Sequence, residues 1–237
     1  MNFVSVDDVS YCDTTFDKQL SNIEGVNRLP WIGLNYNNQK VKTLLLGESV
    51  YDWKPKDPSN FEKIYHSDSL RKIHKSHALN FKKNSKFVRN IERALFIKKY
   101  PTDDEKSLLW NSVVYHNLVS KVLKTKKKRP AYSDYYYGWH VFGSLVSILD
   151  IDQVLVYGLE NSKIKSFLQY CDEKNFTIIE KIKIKDKVGR SYPRKITFQI
   201  HGKNISMLFI RHPSSYFSWK KWGSVIRSTI NVPDNIA

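Results

Sequence analysis

Four short polar clusters in this 237-residue chain each adjoin an apolar run. Thr43–Leu46 leads into Gly47-Glu48-Ser49-Val50-Tyr51-Asp52-Trp53, and the run Leu108–Val119 contains Tyr115-His116-Asn117. Gln153–Tyr157 leads into Gly158-Leu159-Glu160-Asn161, and Ile205–Ile210 into Arg211-His212-Pro213-Ser214-Ser215. Carboxylates, an amide, an imidazole and hydroxyls can orient water, read a hydrogen-bonding edge and donate to a developing anion. One such cluster would be a weak signal. Four in succession are much stronger, because ligands of open α/β sheets bind outside the carboxyl ends of the strands.

The four apolar runs must then be strands. They are continuous rather than alternating, as expected where both faces of a sheet are covered. Helix-like stretches lie between them: Ser67–Tyr100, with room for more than one helix, Gly138–Asp150 ahead of the third strand, Glu160–Asn175 after it, and Ser214–Ile230 after the fourth. Strand and helix in alternation predict one domain, 1–237, an α/β/α sandwich of three layers around a mainly parallel sheet. Residues 1–28 form an N-terminal extension. Period-two patterns in Ile178–Ile184 and Ile196–Ile200, with turn signals at Val188-Gly189 and His201-Gly202, predict a hairpin, 178–204, added at a sheet edge. The tract Lys124–Gly138 is expected to be a loop.

Composition narrows the partner. Lys and Arg number 39 against 23 acids, a net charge of +16 and a pI near 9.6. Such a balance points to a polyanion: nucleic acid first, an anionic membrane surface as the rival. Cys12 and Cys171 are far apart, with no CxxC pair, which excludes a zinc ribbon or a four-cysteine cluster and suits a reducing compartment. His74 and His77 are three residues apart, but no cysteine or clustered acid joins them, so no metal is expected. The N-terminus has neither a basic n-region nor a long apolar run, and no window is apolar enough to span a bilayer. The expectation is a soluble, cytoplasmic, monomeric protein without a cofactor.

The order of the four clusters resembles the uracil-DNA glycosylase superfamily: a glycine motif after the first strand, an asparagine near the end of a central strand, a Gly-containing strand end, and a late His-Pro-Ser motif. The resemblance covers roughly Leu29 to Ile230. RHPSS is its most specific piece and LLLGESVYDW the second, while Leu29–Tyr36 is similar to the segment ahead of the first strand in bacterial relatives.

That resemblance implies a monofunctional DNA glycosylase, which flips a base out of single- or double-stranded DNA and hydrolyses its N-glycosidic bond, leaving an abasic site. It places His212 where a donor stabilises the departing base, held by the rigid Pro213. It makes Asn117 the amide that reads the base, with Asn111 and His116 as substitutes. Gly47 allows close backbone approach, Ser49 stands where the best-known members carry a water-orienting aspartate, and Tyr51 falls at a gate against 5-substituted bases. Glu48, with Asp52 as its alternative, would orient water or stabilise the oxocarbenium-like sugar. Ser214, Ser215, Tyr216 and Phe217 fall on the loop that enters the minor groove, with Tyr216 as the wedge. Lys220 and the run Lys126, Lys127, Lys128 and Arg129 would hold phosphates. The base is expected to be uracil or a modified pyrimidine, a 5-substituted cytosine in foreign DNA being the version that implies defence. Two other functions remain open: a non-catalytic DNA-binding protein of this fold, and a hydrolase of another nucleoside-like substrate.

Overall fold

The computed structural model describes residues 11–52, 54, 56–80, 85–125 and 128–232. In chain order the elements are α1 (Asp17–Leu20), β1 (Trp31–Ile32), β2 (Thr43–Gly47), β3 (Val50–Tyr51), α2 (Pro58–Tyr65), α3 (Ser69–Ala78), α4 (Lys86–Phe96), α5 (Asp103–Asn111), β4 (Val114–Asn117) and β5 (Val122–Leu123). They continue with α6 (Tyr132–Ile148), β6 (Gln153–Tyr157), α7 (Asn161–Glu173), β7 (Thr177–Lys183), β8 (Arg194–Ile200), β9 (Lys203–Ile210) and α8 (Trp219–Thr229).

A seven-stranded sheet in the order β1-β4-β2-β6-β9-β8-β7 forms the centre. Four adjacent strands, β4, β2, β6 and β9, are parallel; β1 at one side and β8 at the other run against them, and β7, antiparallel to β8, runs with them again. The register places Asn117 beside Gly47, Leu46 beside Val156, and Tyr157 beside Ile210. The four parallel strands therefore finish at nearly one level, and the residues that follow share a rim.

Alternation along these strands splits the core. Leu44, Leu46, Val154, Val156, Met207 and Phe209 pack with residues of α6 and α7, whereas Leu45, Tyr115, Leu155, Tyr157, Leu208 and Ile210 pack with residues of α3, α4, α5 and α8. The middle strands are apolar throughout because both faces are covered. At the β8–β9 corner His201 (φ 48°) and Gly202 (φ 78°) both take left-handed backbone, the conformation a two-residue hairpin requires. The expected edge hairpin is thus β7–β8, and β8 pairs on with β9 as a meander.

Two expectations about elements are corrected. Only part of the run Leu108–Val119 is strand: a capping box, in which the Glu105 N–H donates to Thr102 Oγ1 at 3.2 Å and the Thr102 N–H to Glu105 Oε2 at 2.8 Å, starts α5, whose last turn takes in Leu108–Asn111. The tract Lys124–Gly138 is a loop only at its start. From Tyr132 it is the first two turns of α6, begun by the Ala131 N–H donating to Asp134 Oδ2 at 2.9 Å, and Tyr135 and Gly138 are buried. No helix among the described residues is long and apolar enough to cross a membrane.

Candidate active site

A cavity of about 920 Å³ opens at the carboxyl ends of the parallel strands. All four clusters supply its walls: Gly47, Glu48, Ser49 and Tyr51 after β2, Asn117 at the end of β4, Glu160 after β6, and His212 with Ser214 and Ser215 after β9. Residues from the helical face shared by α3 and α4 close one side, among them Leu70, Ile73, His74 and Phe87.

Strand parity divides the work. Tyr115 and Asn117 point to the α3/α4 side, and Asn117 Oδ1 accepts a hydrogen bond from the Tyr115 hydroxyl at 3.2 Å. Gly47 lies opposite Asn117, and any Cβ at Gly47 would collide with that oxygen.

Glu48, one residue past the β2 end, reaches the opposite face. It is 3 % exposed. Its Oε1 accepts from the Tyr135 hydroxyl of α6 at 2.9 Å and from Lys163 Nζ of α7 at 3.1 Å, and the Arg129 guanidinium lies 2.9 Å from the carboxylate. Lys163, fully buried, also donates to Tyr157 O at 2.6 Å and Glu160 Oε2 at 3.0 Å, and Arg129 reaches Glu160 Oε1 at 2.6 Å. Two acids and two bases thus form one closed cluster with no net charge. The two cations hold Glu160 below the usual carboxylate range although burial works against them.

His212 is set up as a neutral donor. The backbone N–H of Ser214 donates to its Nδ1 at 3.2 Å, and the Ser214 hydroxyl lies 2.8 Å from the same nitrogen. A ring nitrogen that accepts cannot carry a proton, so the proton of the neutral ring sits on Nε2. Burial pushes the pKa down to about 4, with Lys163 and Arg129 acting in the same direction and Glu48 and Glu160 against them. The loop is pinned from α4, where Asn90 Nδ2 donates to Pro213 O at 2.7 Å.

Several residues fall elsewhere than expected. Asp52 does not line the cavity: its Oδ1 accepts from the Lys54 N–H at 2.9 Å and from Asn60 Nδ2 at 2.6 Å, a local turn that absorbs the carboxylate. Phe217 is no groove wedge. It stands just before the Ser218 N-cap of α8 and stacks on Trp222, four residues inside the helix, with centroids 5.9 Å apart and planes at 10°, a hydrophobic staple. Arg129 bridges the acidic pair while half its side chain stays exposed, and the exposed Ser214 bonds His212.

Tyr216 does stand free. It is 90 % exposed, its backbone is left-handed at φ 49°, and the Arg211 guanidinium lies 5.4 Å from its ring centroid. A bulky residue held in that backbone region is strained. Lys128, Ser215 and Lys220 are exposed. Lys126 and Lys127, like Trp53, lie outside the described residues.

Four contributors escaped the sequence reading: Lys163, Tyr135, Arg28 and Tyr157. Arg28, from the segment taken as an extension, is buried at the cavity wall with Nη2 donating to Ser120 O at 3.0 Å. The usable signals were Glu160 and Lys163 at i,i+3 directly after a strand-end glycine. Among the described residues no group of three or more His, Cys, Asp or Glu is placed to hold a metal ion. Searches against protein-family models, curated proteins and solved structures return no match.

Proposed function

We propose that this protein is a DNA glycosylase built as a three-layer α/β/α sandwich, the two helical faces of the sheet being its outer layers. It flips a base into the cavity and hydrolyses the N-glycosidic bond with water. The observation that carries this reading is a single cavity holding the Asn117 amide, a neutral His212 whose Nε2 bears the proton, and the Glu48 carboxylate, with the exposed Tyr216 following the cavity-lining Ser214 and Ser215 in the chain.

In this reading Tyr216 fills the gap left in the stack, and its strained, outward backbone suits that task. Asn117 pairs with the edge of the flipped base. As the bond to the sugar lengthens, negative charge grows on the base and His212 Nε2–H meets it. A donor fixed beforehand costs no reorganisation at that moment. Glu48 faces the sugar side. Its cluster is neutral while Arg129 lies across both carboxylates. Arg129 is half exposed, and once it turns to a phosphate the cluster becomes net negative, which offsets the oxocarbenium charge. The net charge of +16 supplies the attraction to DNA.

One feature favours a second reading, a non-catalytic DNA-binding protein: Tyr135, Lys163 and Arg129 already occupy Glu48. The experiment that decides incubates the protein with oligonucleotides carrying uracil, cytosine or modified pyrimidines, then cleaves abasic sites with alkali. Strand scission at one base supports the glycosylase. Tight DNA binding with no scission at any base supports the second reading.

A further inference from the structure

Among the described residues three cations are buried: Arg28, Arg71 and Lys163. Two have their counter-charge inside the protein. Arg71 meets Asp17 at 2.6 Å, and Lys163 meets Glu48 at 3.1 Å and Glu160 at 3.0 Å. Arg28 has none. It is 4 % exposed, forms no ion pair with a described residue, and makes one hydrogen bond, from Nη2 to Ser120 O at 3.0 Å. Of the three, it is also the one that lines the cavity.

Topology sets its place. β1 runs against β4 with Trp31 opposite Tyr115, so the chain enters β1 from the rim at which Asn117 ends β4. Arg28 lies three residues ahead of Trp31, and its guanidinium is held at Ser120, three residues past Asn117. Nothing anionic stands in this corner. Burial pushes the pKa of Arg28 down, and the groups acting against it are the hydroxyls of Tyr115 and Tyr65, which are phenols rather than acids. The Ser120 hydroxyl and both ring nitrogens of His116 are buried without a hydrogen-bond partner among the described residues. A guanidinium stays charged, and an uncompensated buried charge is costly, so buried charges are paired with an anion. Here the anion has to come from a ligand.

We infer that Arg28 is the anion-binding residue of the cavity and receives a phosphate of the nucleotide whose base rests on Asn117. The identity of that nucleotide rests on the glycosylase reading; the anion site itself stands on burial and charge. The charges also balance. Glu48, Glu160, Lys163 and Arg129 already cancel, so the cavity has one cation left over, and one phosphate diester carries one negative charge. A guanidinium has five N–H groups in a planar fork that matches phosphate oxygens, and Ser120 O takes only one of them.

The test uses DNA carrying a tetrahydrofuran abasic analogue, so that it depends on neither the base nor its release. In two further oligonucleotides the phosphate on the 5′ or the 3′ side of the analogue is replaced by a neutral methylphosphonate. One of the two replacements is expected to weaken binding by wild type about 10- to 100-fold, the worth of a charge-assisted hydrogen bond, and to make no such difference in Arg28→Met or Arg28→Gln. Inorganic phosphate, compared with chloride at equal ionic strength, and deoxyuridine 5′-monophosphate probe the same site by raising the thermal stability of wild type but not of the variants. A methylphosphonate effect that depends on Arg28 supports the site and assigns it to the DNA strand. A response to the free phosphates that depends on Arg28, with no methylphosphonate effect, supports the site but gives it to a free nucleotide, and the DNA reading of the cavity fails. If wild type and variants respond alike to every probe, the inference is overturned, and the glycosylase reading is left to the abasic-site assay. The variants are expected to fold as well as wild type, because each removes an unpaired buried charge. If neither folds, the guanidinium supports the ligand-free protein, and the inference is overturned.

Discussion

On the glycosylase proposal, His212→Ala removes the donor that would meet charge on the leaving base. The ring is neutral at working pH because burial holds its pKa near 4, so at pH 7 only about one molecule in a thousand is protonated. Losing a fixed donor of this kind costs about 100- to 1000-fold, on the order of 3 kcal/mol. The loss belongs to the chemical step, so DNA affinity is expected to hold. Ser214→Ala is graded below it: the hydroxyl at 2.8 Å from Nδ1 is gone, but the backbone N–H at 3.2 Å still fixes the tautomer, and about a fivefold loss is expected. The assay is abasic-site formation under single-turnover conditions on the base that wild type accepts, between pH 5 and 8. No inflection near 6.5 is expected from His212. Stability has its own sign. The unfolded imidazole takes up a proton near pH 6.5, the folded one only near 4, so stability is full above about 6.5 and is lost as pH falls towards 4. His74 and His116, both pushed by burial to about 3, deepen the same decline. A wild-type rate in His212→Ala refutes the anion-stabilising role. A rate inflection near pH 6.5 that vanishes in that variant refutes the neutral-donor geometry.

Gly47→Ala puts a methyl group against Asn117 Oδ1; discrimination among bases is expected to fall while non-specific DNA binding persists, and unchanged base preference would separate Asn117 from reading. Lys163→Met leaves the buried Glu48 and the partly exposed Glu160 to share Arg129, and a loss of about 3 kcal/mol is expected from denaturant unfolding, set by the uncompensated Glu48; a loss under about 1 kcal/mol would mean the cluster relaxes freely into solvent. Neutralising Lys126, Lys127 and Lys128 together should flatten the log–log salt dependence of DNA binding by up to about 3, and an unchanged slope would make the run a solvated face.

The strands and the polar groups at their ends were legible because a buried parallel strand is an uninterrupted apolar run, and Gly47 and Gly158 mark where two of them stop. What lay outside that pattern depended on tertiary packing. Lys163 sits in an ordinary amphipathic helix and reads as surface; its burial follows from Glu48, brought in from the end of β2, and from Glu160 at the start of its own helix. Phe217 reads as exposed because it follows hydroxyl residues, and only the start of α8 after Ser218 turns it into a staple. Tyr135 was hidden by its lysine- and tyrosine-rich surroundings, and Asp52 by lying close in sequence to Glu48 while bonding to its own turn.

The two strand-end glycines solve the same problem on the two faces of the sheet. A parallel strand end offers its last backbone groups to whatever lies above it, and an ordinary side chain would cover them. At Gly47 the missing Cβ makes room for Asn117 Oδ1, delivered by the neighbouring strand. At Gly158 it makes room for Lys163 Nζ and Glu160 Oε2, delivered by the helix that follows, and the backbone there is left-handed at φ 104°, a region that a side chain would strain. One opening seats the amide on the α3/α4 side; the other lets a buried ammonium hydrogen-bond Tyr157 O and join Glu48 to Glu160. A larger residue at either position would push the group above it off the sheet, and the cavity would lose its amide or its charge cluster before it lost its walls. For this chain a strand-end glycine therefore points to the polar side chain that must rest on it, and pairing each glycine with its nearest polar neighbour recovers both halves of the candidate site.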